Sequence, residues 1–153
     1  GICRSRICAS DKSSRVAAGT IDGFICSVDR VSGALLWKFE TGSPVLSSAV
    51  TGYVNGGEVL LFGADNGSFY SLDSEGVKLW EFRAGGKIRT EALVHDGRVY
   101  FGSEDGSLHA LDLDSGREVF AVSCAGSIYG KPAIQGGLLY FGSTDGSIHS
   151  VYI

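Results

Sequence analysis

Short apolar runs separated by glycine-containing turns fill the chain from end to end. Val99-Tyr100-Phe101 and Leu138-Leu139-Tyr140-Phe141 are consecutive apolar stretches, and each is followed by an Asp-Gly step. Runs of this length bounded by Gly, Asn-Gly and Asp-Gly read as short strands joined by hairpins. Incomplete apolar/polar alternation fits a sheet covered on both faces. No apolar period of 3.6 residues persists between the turns, so no helix is expected.

The pattern repeats. Arg98-Val99-Tyr100-Phe101-Gly102-Ser103-Glu104-Asp105-Gly106-Ser107-Leu108-His109 returns 40 residues later as Leu138-Leu139-Tyr140-Phe141-Gly142-Ser143-Thr144-Asp145-Gly146-Ser147-Ile148-His149. Looser copies begin at Val16 and Leu60, and the leading glycines Gly19, Gly63, Gly102 and Gly142 stand 44, 39 and 40 residues apart. A loop insertion around residues 53–57 accounts for the longer first interval. Ten residues after the leading glycine come Asp29, Asp73 and Asp112, with Tyr152 in the last copy. A turn at Gly33, Gly76 and Gly116 follows, then Trp37, Trp80 and Phe120, and then Val45, Ile88 and Ile128. In the third copy the strands are expected at 99–103, 107–113, 118–122 and 128–134, and Asn66-Gly67 is the strongest hairpin signal. A four-stranded antiparallel unit repeating every 40 or so residues is a propeller blade, so the fold class is all-β, a β-propeller.

Counting strands divides the chain into about 3.75 blades. Residues 1–14 hold the last strand of a preceding blade; 15–57, 58–96 and 97–136 are three blades; 137–153 supply two strands of a fourth. Propellers close with about four to eight blades. The reading is therefore an excerpt of a larger propeller, whose isolated form associates through unpaired edges. Absence of Met agrees with a processed chain or an excerpt.

Composition narrows the chemistry. Glycine supplies 23 of 153 residues and proline only 2, which fits many tight turns and, without a Gly-X-Y period, excludes collagen. Eight Phe, six Tyr and two Trp exclude a disordered linker. A net charge of −4 with scattered basic residues argues against nucleic acid as partner, and no apolar stretch is long enough for a membrane-spanning helix. Cys3, Cys8, Cys26 and Cys124 lack CxxC spacing; free, mostly buried thiols are expected, with a Cys3–Cys8 disulfide as the alternative.

From Tyr100 to Phe120 the sequence resembles the pyrroloquinoline-quinone (PQQ) type propeller repeat: an Asp ending the second strand, a small-residue-Gly turn, then an aromatic. The resemblance covers about residues 15–153. It implies blades braced by the repeated tryptophan. The repeat serves quinoprotein dehydrogenases, which bind PQQ with Ca²⁺. It also occurs without cofactor in a bacterial outer-membrane assembly lipoprotein, and resembles the C-terminal propeller of adenylate-forming enzymes of the aminoadipate-semialdehyde-dehydrogenase type. Phe120 in the Trp position, Tyr152 in the Asp position and the lack of adjacent cysteines depart from the dehydrogenase pattern.

Candidate chemical groups are weighed on that frame. Asp29, Asp73 and Asp112 are spread around an axis and read as turn-forming carboxylates rather than an acid/base pair. Trp37 and Trp80 read as packing between blades. His109 and His149 share a repeat position with Tyr70 and Cys26, too far apart for one metal; His95 reads as an exposed turn residue. No nucleophile, metal or phosphate-binding motif occurs. Loops before each fourth strand vary while the strands do not, so Arg83, Lys87, Arg89, Tyr129 and Lys131 form the candidate partner-binding rim. The expectation is a non-catalytic interaction scaffold without cofactor, binding a protein partner or a second copy of itself.

Overall fold

The computed structural model describes residues 2–10 and 12–153, and these form strands without any helix. The strands are β1 (Cys8–Ala9), β2 (Arg15–Gly19), β3 (Phe24–Asp29), β4 (Leu35–Glu40), β5 (Val50–Val54), β6 (Gly57–Gly63), β7 (Ser68–Asp73) and β8 (Lys78–Arg83). They continue with β9 (Leu93–His95), β10 (Arg98–Gly102), β11 (Ser107–Asp112), β12 (Glu118–Ser123), β13 (Ala133–Gln135), β14 (Leu138–Gly142) and β15 (Ile148–Tyr152). Neighbours in sequence pair antiparallel in four sheets: β1-β2-β3-β4, β5-β6-β7-β8, β9-β10-β11-β12 and β13-β14-β15. These are four propeller blades, the last with three strands.

Sheets and sequence repeat are out of phase by one strand. The strand ending each repeat copy crosses over and becomes the first strand of the next sheet, so the sheets span 8–40, 50–83, 93–123 and 133–152. That corrects the divisions expected at 15–57, 58–96 and 97–136. Within 1–14, Cys8 and Ala9 pair with Ala17 and Val16 of the first sheet, rather than finishing an earlier one. The expected strand at 128–134 is also corrected: the strand is β13, and Ile128 lies before it as a buried plug.

The extra residues near 53–57 do not make a loop. They lengthen the β5–β6 hairpin by two residues on each strand relative to β9–β10, and Val54 pairs with Gly57 across a two-residue turn. That turn, Asn55-Gly56, and its counterpart Asp96-Gly97 hold both residues at positive φ (51° and 81°, 49° and 71°), as a type I′ turn requires. At Asn66-Gly67 only the glycine is at positive φ, so the strongest sequence signal marks a longer connection.

Three apolar seams join the sheets. Ala17 and Ile25 of the first sheet meet Leu60, Phe62 and Leu72 of the second. Leu61 and Phe69 meet Val99, Phe101 and Leu111, and Tyr100 and Leu108 meet Leu139 and Phe141. Each of the first three sheets also carries a β-bulge in its outer strand, at the same repeat position. The extra residues Leu36, Leu79 and Val119 face solvent, and the bulge re-aims the following aromatic.

Candidate interaction surface

Most repeated residues are spent on joining one sheet to the next. A Cβ placed on Gly19, Gly63 or Gly102 would stand 2.8, 2.6 and 2.6 Å from the Cβ of Val45, Ile88 and Ile128, so only glycine admits these plugs. Beside them, the Ser47 hydroxyl donates to the Gly63 carbonyl at 2.8 Å and accepts from its N–H at 2.9 Å. Thr90 does the same for Gly102, and Ser5 for Gly19. The indole N–H of Trp37 donates to the Ser74 carbonyl at 2.9 Å, and that of Trp80 to the Leu113 carbonyl at 3.1 Å. Each indole lies against the turn glycine of the following sheet, Gly76 or Gly116. These tryptophans bridge sheets.

The repeated aspartates cap turns. One Asp29 oxygen accepts from the Ser32 N–H and hydroxyl, both at 2.7 Å, and these bonds hold its carboxyl below the usual range. Asp112 does likewise with Ser115, and Asp73 accepts from the amides of Glu75 and Val77.

All five rim positions sit at one end of the sheets, where the hairpin after each second strand meets the connector to the next sheet. The charges there are paired. Arg89 grips Asp65 through Nε at 2.8 Å and Nη2 at 2.7 Å, reaches Glu104 at 3.4 Å, and has its pKa raised by the Asp65 bond. Lys87 stands 3.8 Å from Asp65, and Arg83 stands 3.4 Å from Glu81. Lys131 pairs with Glu91, which also takes Arg6 at 3.1 Å. Tyr129 is exposed. The structure thus brings Lys87 and Arg89 together, sets Lys131 at the mouth of the axial cleft, and leaves Arg83 at the end of β8.

That cleft, about 310 Å³, is lined by Cys8, Ala49, Val50, Thr51, Ala92, Leu93, Val94 and Lys131. First strands of the sheets thus face the axis.

His109 and His149 are seam residues, whereas His95 is exposed at the end of β9. His109 is buried, bonded to Glu118 at 2.7 Å and Asp105 at 3.3 Å, and stacked on Phe101. His149 stacks on Phe141 at 5.1 Å. Its ring, Asp145 and Cys124 bring one ligand atom each within 4.8 Å of one another. The Cys124 thiol is already engaged: it donates to the carbonyls of Gly106 and Gly126 at 3.1 Å, as the Thr41 hydroxyl does to those of Gly23 and Ser43. Among the described residues no disulfide joins Cys3, Cys8, Cys26 or Cys124; Cys3 is exposed and the others half-buried, so fewer are buried than expected.

Comparison with known proteins matches this architecture. The family model described as outer membrane protein assembly factor BamB matches residues 3–93 and 76–152. The chain belongs to this BamB-like family of PQQ-type repeats. One relative is the outer membrane protein assembly factor BamB of Nitrosomonas eutropha, 29% identical over 100 residues, covering 65% of this chain and 24% of that protein. Another is a 1-butanol dehydrogenase (quinone) of Thauera butanivorans, 34% identical over 79 residues, 44% of this chain and 13% of the enzyme. Among solved structures, BamB from Moraxella catarrhalis superposes with a TM-score of 0.84 at 24% identity, over 99% of this chain and 47% of that one. The computationally designed Ika4 protein gives 0.82 at 19% identity, over 100% and 92%. The chain thus spans only part of the curated relatives it matches.

The cleft residues offer a planar quinone no aromatic face and a calcium ion no carboxylate, and Glu91 beside them is taken by Arg6 and Lys131. Trp37 and Trp80 point into the seams. Sequence reasoning found the rim cations but missed their partners Asp65, Glu91 and Glu104. Glu91 and Glu104 sit on a different repeat copy from Lys131 and Arg89, and Asp65 lies 24 residues before Arg89 within one copy, so no local spacing links them to the cations.

Proposed function

We propose that this chain is a non-catalytic stretch of a larger β-propeller serving as a protein-interaction scaffold. It takes a protein on the rim formed by Arg83, Lys87, Arg89, Tyr129 and Lys131. One observation carries the reading: the repeated aromatic, Asp and hydroxyl residues bond within or between the sheets, and no pair of them converges on a reacting centre. Kinship with an outer membrane protein assembly factor supports it.

A second reading, the cofactor-binding part of a quinoprotein dehydrogenase, draws on the kinship with the butanol dehydrogenase. Adding PQQ and CaCl₂ to the purified chain separates the two. The scaffold reading expects an unchanged quinone absorbance spectrum and an unchanged melting temperature. A saturable shift in either would overturn it.

A further inference from the structure

At each seam the residue after an outer strand faces two residues of the next sheet, one in its second hairpin and one on its third strand. The repeat lets these trios be compared position by position. In the first seam the trio is Thr41, Asn66 and Tyr70, and it closes on itself: Asn66 Nδ2 donates to the Thr41 carbonyl at 3.1 Å and to the Tyr70 hydroxyl at 2.8 Å. In the second it is Ala84, Asp105 and His109, where Asp105 Oδ2 accepts from the Gly85 N–H at 2.8 Å and bonds His109 Nε2 at 3.3 Å. In the third it is Cys124, Asp145 and His149, a thiol, a carboxylate and an imidazole whose ligand atoms lie within 4.8 Å of one another.

That third trio is left open. Nε2 of His149 is buried without a hydrogen-bond partner and stands 3.6 Å from Asp145 Oδ2. The other Asp145 oxygen caps its own turn, accepting from the Ser147 N–H at 2.8 Å. Cys124 Sγ has the carbonyls of Gly106 and Gly126 at 3.1 Å, but a thiol carries one proton and satisfies one of them. The segments bearing these side chains are tied together. Ser127 N–H donates to the Thr144 hydroxyl and Thr144 N–H to the Ser127 carbonyl, both at 2.9 Å.

We propose that Cys124, Asp145 and His149 form a Zn²⁺ site that staples the third sheet to the fourth. Thiolate and imidazole together select zinc over the hard ions magnesium and calcium. A tetrahedral zinc with bonds of about 2.0–2.3 Å holds its ligand atoms about 3.3–3.6 Å apart. The His149–Asp145 pair already stands at 3.6 Å, and a side-chain rotation brings the thiol in. On binding, the thiol proton leaves to solvent, the Nε2 lone pair of His149 and Oδ2 of Asp145 fill two further positions, and water takes the fourth. Cys124 opens the connector that carries Tyr129 and Lys131, so the ion anchors the base of that part of the rim. The site goes beyond the scaffold reading and does not depend on it.

The test titrates the reduced, chelator-treated protein with Co²⁺ as a spectroscopic stand-in for Zn²⁺. One equivalent is expected to bring up a thiolate-to-cobalt charge-transfer absorbance, which Zn²⁺ then erases, and Zn²⁺ alone is expected to raise the melting temperature. Cys124→Thr and Asp145→Asn install the residue types of the first seam, so each keeps its local hydrogen bonds and is expected to fold by circular dichroism. Cys124→Thr is expected to abolish the charge-transfer absorbance although Cys3, Cys8 and Cys26 remain. Asp145→Asn is expected to weaken cobalt binding by more than the ~10-fold that even outer-shell changes cost. A parent protein without the absorbance, or with a melting temperature that Zn²⁺ leaves unmoved, overturns the proposal. So does an absorbance that survives Cys124→Thr, since another thiol then holds the ion, or cobalt binding unchanged in Asp145→Asn. The ligand set is too soft for calcium, so these outcomes are independent of the titration with PQQ and CaCl₂.

Discussion

Ser47 is a small residue with a large structural role. Its hydroxyl, fully buried, satisfies both the N–H and the carbonyl of Gly63 at the point where the connector enters the second sheet. Removing it strands two backbone groups away from water, which costs about 1–3 kcal/mol. Ser47→Ala is therefore expected to lower unfolding free energy by that amount in urea denaturation, while Ser48→Ala, one residue on, changes it little. A loss below about 0.5 kcal/mol would show that water reaches these groups. The position was legible as a recurring Ser or Thr; its task was not. A hydroxyl 16 residues from its glycine bonds across a sheet boundary, and no local pattern in the sequence encodes that distance. Gly130, which has no hydroxyl for Gly142, marks the end sheet as differently built.

At the scale of the strand and turn, the hairpins were well marked and their irregularities hidden. Ile128 and Ala133–Gln135 read as one apolar strand because a buried plug and a short strand carry the same residue types. Bulges escaped notice because Leu36, Leu79 and Val119 are apolar, although each faces solvent. The turns themselves predict a pH response. Burial alone would raise the pKa of Asp105, but bonds from the amides of Ser107 and Gly85 and the neighbouring His109 bring it below its ordinary value of 3.8. Asp29 and Asp112 are lowered by their serine partners. A depressed carboxylate stabilises the fold fully above its unfolded pKa, and that contribution fades as pH falls through the folded value. Melting temperature is thus expected to hold level down to about pH 5 and to drop between about pH 4 and pH 2. Asp112→Asn, which keeps an acceptor oxygen but cannot titrate, is expected to flatten part of that drop. An unchanged acid limb would place the sensitivity elsewhere.

Across the whole molecule, stability is set by how many seams a sheet shares. The second and third sheets are packed on both faces, whereas the first and fourth each leave one open. Amide exchange is expected to be slowest in β6, β7, β10 and β11 and fastest in β15, which also lacks a fourth strand beside it. Uniform protection at low protein concentration would contradict that gradient. The global architecture was legible because turns repeat every 40 residues or so, yet the sheet boundaries were misplaced because sequence similarity begins at the second strand of each sheet. This one-strand offset has an evolutionary corollary. A tandem duplication or deletion of one repeat copies or removes three strands of one sheet and the opening strand of its successor. Because the cut falls inside sheets rather than between them, every new junction inherits a connector already fitted to its neighbour. The heritable module is the stitched pair, and rings of this type can change their number of sheets without inventing an interface.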